Sequence, residues 1–508
     1  MRLFTAATAL CGLLSSSLLC AAESNTTSPT ARLVLPRSFT PPQVFKNTNL
    51  LRNINLEKGY PRETVNVVVE NVDKKPQSDY YIPFAAKTID KVGGLEVRDK
   101  KAPEKGRFDI DVTTLDGSDT QYFLVHFPEP LAPSSQITLG ISYYILSSLQ
   151  PLPTSIGQDD QQFLAYSFSA YAPSAYVTES QKTKLKFPTT NVPNYTQTAG
   201  LKSGSGSDPE RQGSTFTYGP YNTAKLPPGT KAPVTVRYEF TKPVLTASLL
   251  ERDLEVSHWG GNLATEERYW LRNDGANLSK HFDRVSWTMK TYQGLPSSAL
   301  RDLKYPLKPG SVDPYFIDDI GNVSTSRYRP SPRAGREAHL ELRPRYPIFG
   351  GWKYSFRLGW NNDLSSFLRG PVSGTDTYVL KVPFIEGPKI PEGIQYEKAV
   401  VRVVLPEGAS NVRYEIVEGT SSNGLPGSSQ ISSSVTKHVT YMDTLGRTAL
   451  TLTVNNLSDE ARDSQLLVTY DYPFIASLRK PVAIFSGFIT IFVTVWLIGK
   501  IDVSIKKR

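Results

Sequence analysis

One stretch constrains this chain more than any other. Pro481 is followed by VAIFSGFITIFVTVWLIG, eighteen residues from Val482 to Gly499 without a charge. As a helix rising about 1.5 Å per residue it reaches ~27 Å, close to a hydrocarbon core of about 30 Å once its flanks help. Trp496 and the basic residues Arg479, Lys480 and Lys500 suit the two membrane interfaces. A core helix of a soluble protein would keep a polar face, and this run has none. The sequence therefore predicts a transmembrane helix with a basic flank over 479–499 and a short tail over 500–508.

The opposite end reads differently. Met1-Arg2 leads into an apolar stretch that closes on Cys20-Ala21-Ala22 and turns polar at Glu23. That is the pattern of a secretory signal peptide over 1–22. Residues 23 to about 480 would then face the lumen, and the basic tail Lys500–Arg508 the cytosol. The expected topology is single-pass type I. Both cysteines, Cys11 and Cys20, fall in the leader. The expected mature chain thus has no disulfide, thiolate metal site or cysteine nucleophile. Its length makes staples unnecessary. The net charge of +9 carries little information. Arg2 and the tail, with its four basic residues and one acid, supply four of those charges, leaving +5 on a long ectodomain. No basic block interleaved with aromatics appears, so nucleic-acid binding has no support.

Between the two ends the pattern is mainly β. Strand-length runs rich in β-branched and aromatic residues include Thr64–Val69, Tyr122–Phe127, Gln136–Ile145, Val234–Phe240, Val285–Tyr292, Tyr378–Ile385, Val400–Leu405, Thr448–Val454 and Leu466–Tyr472. The 38 prolines argue against long helices. Two luminal β-sandwich-like domains followed by the membrane helix are expected, over 23–242 and 243–478. Thr196–Ser214 and the Ser/Gly-rich Gly419–Ser434 read as mobile surface loops. No internal repeat is apparent.

The chain lacks the usual catalytic signatures, with no HExxH, GxSxG, P-loop or GxGxxG. Its five histidines show no metal-ligand spacing. Asp109-Ile110-Asp111 has the form of the metal-holding D-x-D of many nucleotide-sugar transferases. Set in Phe108-Asp109-Ile110-Asp111-Val112, however, the acids of a strand face solvent while the apolar residues face the core. Asp318-Asp319 is a weaker candidate, because sequence neighbours rarely share a ligand face. His258-Trp259-Gly260-Gly261 reads as a packed turn with a half-buried tryptophan. The Arg- and aromatic-rich run Leu342–Lys353 reads as a structural turn or a protein interface. No catalytic residue, cofactor or metal is predicted. Five N-x-S/T sequons, at Asn25, Asn194, Asn277, Asn322 and Asn456, all lie between leader and span, as a luminal ectodomain requires.

Longer stretches point to a family. Glu255–Gly260, Asp319–Ser326, Arg343–Lys353, Leu405–Ala409, Tyr441–Arg447 and Tyr166–Ser180 together resemble the ribophorin I family, in order over most of the ectodomain. The resemblance implies an accessory, non-catalytic subunit of the oligosaccharyltransferase complex in the endoplasmic reticulum membrane. That complex moves an oligosaccharide from dolichol diphosphate to Asn in N-x-S/T, with its active site in a separate multi-spanning subunit. The other subunits are the implied partners, with the translocon and nascent chains as further candidates, and the Asn322 sequon coincides with one in the family motif. The tail departs from long-tailed family members and lacks dilysine spacing, so retention is expected to depend on assembly. Two other readings compete: a type I surface receptor or adhesion-like β protein, and a luminal glycosyltransferase using Asp109 and Asp111.

Overall fold

The computed structural model describes residues 26–27, 33–37, 39–115, 117–201, 207–331, 335–371, 375–417, 431–440 and 446–500. They are mostly strand, built as two β-sandwich-like halves, with one long helix at Arg479–Lys500. Period-two patterning explains the strands. In Arg62–Asn71, Glu63, Val65, Val67, Val69 and Asn71 are buried and the residues between them half-buried.

In the first half a seven-stranded sheet is covered by two four-stranded sheets. At its centre lies the hairpin Phe45–Asn55 and Arg62–Asn71. Val177–Lys186 runs parallel to the first of these strands, and Gln136–Ile145 antiparallel to the second, followed by the edge strand Val92–Asp99. The second half repeats this plan in an eight-stranded sheet. Leu245–Ser257 and Asn262–Asn273 form the central hairpin. Ile394–Val404 runs parallel to the first, and Lys353–Asp363 antiparallel to the second, followed by Val312–Asp318. The covering sheets match as well. Gln77–Ala85, Thr120–Leu131 and Asp109–Leu115 pair in the same order as Leu303–Leu307, Ala338–Leu342 and Arg327–Arg329.

One topology thus occurs twice in a chain whose sequence shows no repeat. A sheet fixes the inward and outward alternation of side chains, not their identity, so residues drift while the period survives. Two buried polar features persist. Arg52 pairs with Glu63 across the first hairpin, and Arg252 with Glu267 across the second. Asn71 and Asn273 end the second strand of each hairpin. Each accepts the backbone N–H two residues on and donates to two backbone carbonyls.

The halves meet through polar contacts. The Tyr144 hydroxyl donates to the Asn456 carbonyl at 3.1 Å, the Gln395 amide to the Gly59 carbonyl at 3.1 Å, and Arg62 to Glu460 at 2.8 Å. These contacts sit where Leu245–Ser257 begins, since Leu245 pairs with Ile394 beside Gln395. At about 3.3 Å per residue that strand carries its far end ~40 Å away, and there the long helix leaves the body.

Three expectations change. Val285–Tyr292 lies in a helix, Arg284–Tyr292, not a strand. Asp283 caps it by accepting from the Val285 N–H and the Ser286 hydroxyl, and this start signal outweighs the apparent alternation. Thr196–Ser214 is not wholly a surface loop. Thr198 and Asp208 are buried and bonded to each other at 2.7 Å. The end of Gly419–Ser434 belongs to the strand Ser432–His438, while residues 419–430 lie outside the described residues.

Candidate functional site

Three of the six family-like stretches, Glu255–Gly260, Leu405–Ala409 and the end of Tyr441–Arg447, gather at the foot of the second half, beside the long helix. The turn after Leu245–Ser257 presents His258 and Trp259, with Gly261 supplying the positive φ of 59° that closes it. His258 Nε2 lies 2.7 Å from the Tyr470 hydroxyl, and its ring packs against Tyr378 and Tyr472. Burial lowers its pKa, which keeps the imidazole neutral. It is a half-buried histidine packed into the turn by its tyrosine neighbours. Trp259 was expected to be half-buried but is 69% exposed. Its indole N–H donates to the Ser477 carbonyl at 2.9 Å, two residues before the long helix.

Other stretches converge on the same foot. Arg447 bonds Glu255 at 2.5 Å. The Leu405 N–H donates to the Thr448 carbonyl, and the Thr448 hydroxyl to the Ala409 carbonyl. Gly408 lies so close to Ala476 that a Cβ on it would come within 2.8 Å of the alanine methyl. Lys480 and Glu407 approach to 4.0 Å. The entry to the helix is therefore held from two separate segments, by the Trp259 side chain on one and by Glu407 and Gly408 on the other. Residues 441–445 of the Tyr441–Arg447 stretch lie outside the described residues.

A second convergence joins Asp319–Ser326 to Arg343–Lys353. Arg345 donates to Asp318 at 2.5 Å and to the carbonyls of Gly321 and Asn322 at 3.2 and 3.0 Å. Burial pushes the Asp318 carboxyl up, but hydrogen bonds from Arg345, the Gly321 and Ile320 amides and Tyr354 outweigh it and hold it below the usual carboxylate range. Asp318 braces this turn and is committed to it. Beside it Tyr346, Trp352 and Tyr354 pack edge to face.

Asp109 and Asp111 lie on Asp109–Leu115. Asp109 is exposed and Asp111 half-buried, as the strand pattern requires. Asp111 accepts from one nitrogen of His126 at 3.1 Å, and Asp79 takes the other at 2.9 Å. This histidine contact was not legible in the sequence, because Asp79 and His126 come from different strands. Among the described residues no three His, Cys, Asp or Glu side chains are placed to hold a metal ion.

Comparison with known proteins decides the family. The ribophorin I family profile matches residues 45–499, both halves and nearly all of the long helix. The chain belongs to the ribophorin I family. Among its relatives is the dolichyl-diphosphooligosaccharide–protein glycosyltransferase subunit 1 of Schizosaccharomyces pombe, 30% identical over 85% of this chain and 89% of that one. The Caenorhabditis elegans protein of the same name is 30% identical over 91% of this chain and 73% of its own length. A solved structure of leukotriene A4 hydrolase from Saccharomyces cerevisiae superposes at a TM-score of 0.25 with 8% identity, over 40% of this chain and 30% of that one. That likeness is too loose to carry an argument.

In this ribophorin I chain, Arg479–Lys500 is one helix long and apolar enough to cross a membrane, as befits a single-pass membrane protein. The adhesion-protein reading gains no support from the family match. The sequons differ in setting. Asn194, Asn277 and Asn322 are exposed. Asn456 is half-buried, its side-chain amide donates to the Asp90 carbonyl at 2.7 Å, and the sequon's Ser458 is fully buried. Asn25 lies outside the described residues.

Proposed function

We propose that this chain is an accessory, non-catalytic subunit of an oligosaccharyltransferase complex in the endoplasmic reticulum membrane. It would support assembly of the complex and the transfer of oligosaccharide from dolichol diphosphate to Asn in N-x-S/T. The observation that carries this reading is the family match, which covers the β-rich body and the helix together. Two features support a non-catalytic role. The residues with the best claim to chemistry, Asp111, Asp318 and His258, are committed to structural hydrogen bonds. The motif stretches of the second half build the foot and the Asn322 turn, and the longest stretch, Tyr166–Ser180, packs largely into the interior of the first half. Catalysis then belongs to a multi-spanning partner subunit, which the membrane helix would meet within the bilayer, with the body on the luminal side.

Affinity purification of the full chain in mild detergent tests this. Recovery with the multi-spanning subunit is expected, and recovery as a lone surface protein would overturn the proposal. The exposed sequons Asn194, Asn277 and Asn322 are the proposed glycan acceptors. Asn456 is the least suited, because a glycan there would displace the bond to Asp90 that ties the two halves. Mass spectrometry of deglycosylated peptides reads each site, and glycans cleaved by an enzyme specific for high-mannose chains place the protein in the reticulum.

A further inference from the structure

The foot combines three properties that a soluble surface seldom does. Trp259, Phe474 and Ile475 are 69%, 74% and 79% exposed. They come from two places far apart in the chain, yet the bond from Trp259 to Ser477 fastens them together. They also stand directly beside the span, because Phe474–Ser477 is a single helical turn that leads into Arg479–Lys500.

Depth identifies what covers them. Ser477 precedes the first residue of the uncharged run, Val482, by five positions, ~8 Å along a helix axis. The headgroup layer adds about 5–8 Å to each side of the hydrocarbon core. Trp259, bonded to Ser477, therefore lies at headgroup depth. The uncharged run itself is ~3 Å shorter than an average core, and a short span draws its flanking residues toward the bilayer. Charge agrees. The acids bordering the foot, Glu255 and Glu407, face Arg447 and Lys480, so lipid phosphates do not meet bare carboxylates. Tryptophan is also the residue that favours this depth, with an apolar body and a polar edge.

We propose that Trp259, Phe474 and Ile475 form a lipid-binding foot, inserted in the headgroup layer of the leaflet that faces the β-rich body. The foot sets the angle between body and membrane. Because Leu245–Ser257 runs stiffly from the foot toward the first half, a small tilt at the membrane is magnified ~40 Å away. This inference rests on Arg479–Lys500 being a membrane span.

The test uses the full chain, whose only cysteines are Cys11 and Cys20 in the expected leader. Trp259→Cys, Phe474→Cys, Phe488→Cys and Val72→Cys variants are each labelled with an environment-sensitive fluorophore. They are reconstituted in phosphatidylcholine nanodiscs, alone and within the purified complex. Quenching by a nitroxide on the lipid headgroup is compared with quenching by a water-soluble agent. The expected result is several-fold stronger headgroup quenching at 259 and 474 than at 72. Phe474→Cys leaves the Trp259 bond in place, so it reports even if Trp259→Cys loosens the foot. Water-accessible but lipid-inaccessible labels at 259 and 474 would overturn the proposal. So would labels shielded from both agents in the complex, which would mean that a protein covers the foot. Position 488 separates the underlying reading: a label there that escapes a nitroxide deep in the acyl chains would overturn the span, and the foot with it.

Discussion

Arg52 and Glu63 meet in a two-pronged ion pair inside the first half, with Nε and Nη2 each 2.8 Å from a carboxylate oxygen. The hydroxyls of Tyr143 and Tyr166 donate to the same carboxylate at 2.7 and 2.9 Å. Glu63 is wholly buried, so losing its countercharge is far more costly than losing the pair. Arg52→Met should destabilise the protein by about 3–5 kcal/mol. Arg52→Met combined with Glu63→Leu should cost less than the single change, because only neutral groups, the two hydroxyls and the Ser169 carbonyl that Arg52 Nη1 bonds at 3.0 Å, lose a partner and no charge is left buried. Thermal unfolding of the purified variants measures both. A double variant less stable than the single would contradict the argument.

The equivalent pair in the second half is not so well satisfied. Arg252 bonds Glu267, which also accepts from the Tyr269 hydroxyl at 2.7 Å, while Glu386 lies 3.7 Å from Arg252. Burial pushes the Glu386 carboxyl from 4.5 up to about 7, Arg252 lowering it only in part and Glu267 raising it further. The folded protein therefore holds a proton between those pH values that the unfolded chain has released. Unfolding free energy from this group falls as pH rises from 4.5 to about 7. Glu386→Gln should flatten that slope and leave stability at pH 8 equal or higher, as read by chemical denaturation across pH.

These interior features show where the sequence stops being informative. The alternation in Arg62–Asn71 was legible because one face of that strand is buried along its whole length. Val285–Tyr292 alternates too, but Val285, Met289 and Tyr292 also share one face of a helix, while Trp287 packs on Phe349. Only the cap at Asp283 separates the two readings. The foot was beyond reach, since Trp259 and Ser477 are 218 positions apart. The duplicated topology was hidden for the same reason: it resides in strand order, which residue identities do not encode.

Asp109 and Asp111 can be tested for chemistry and structure at once. Asp109→Ala with Asp111→Ala should leave N-glycosylation of cellular acceptors unchanged. The structural effect falls on His126. Desolvation pulls that imidazole down, but hydrogen bonds to Asp111 and Asp79 outweigh it and raise its pKa above 6.5. The stability this contributes is complete below pH 6.5 and is lost as pH rises through the folded value. In the double variant the His126 pKa, followed by NMR of the ring protons, should drop toward the ordinary value. Loss of glycosylation with the His126 pKa unmoved would instead point to a metal site.

The junction between the halves offers a test at a single atom. A Cβ placed on Gly93 would lie 2.2 Å from the Asn456 carbonyl oxygen and 2.3 Å from the Tyr144 ring. Tyr144 itself donates to that carbonyl and accepts from the Ser458 N–H at 3.1 Å, so neither neighbour moves without breaking a bond across the junction. Gly93→Ala should cost about 1–3 kcal/mol through overpacking. The damage should appear in hydrogen exchange as faster exchange at Ser458 and Gly59, with little change in the interior of Arg62–Asn71. Gly140→Ala is the control. Its Cβ would meet nothing nearer than 3.9 Å, and alanine is favoured over glycine inside a strand by roughly 0.5–1 kcal/mol. If the two substitutions proved equally mild, the halves would not be seated on each other through Gly93 and Asn456.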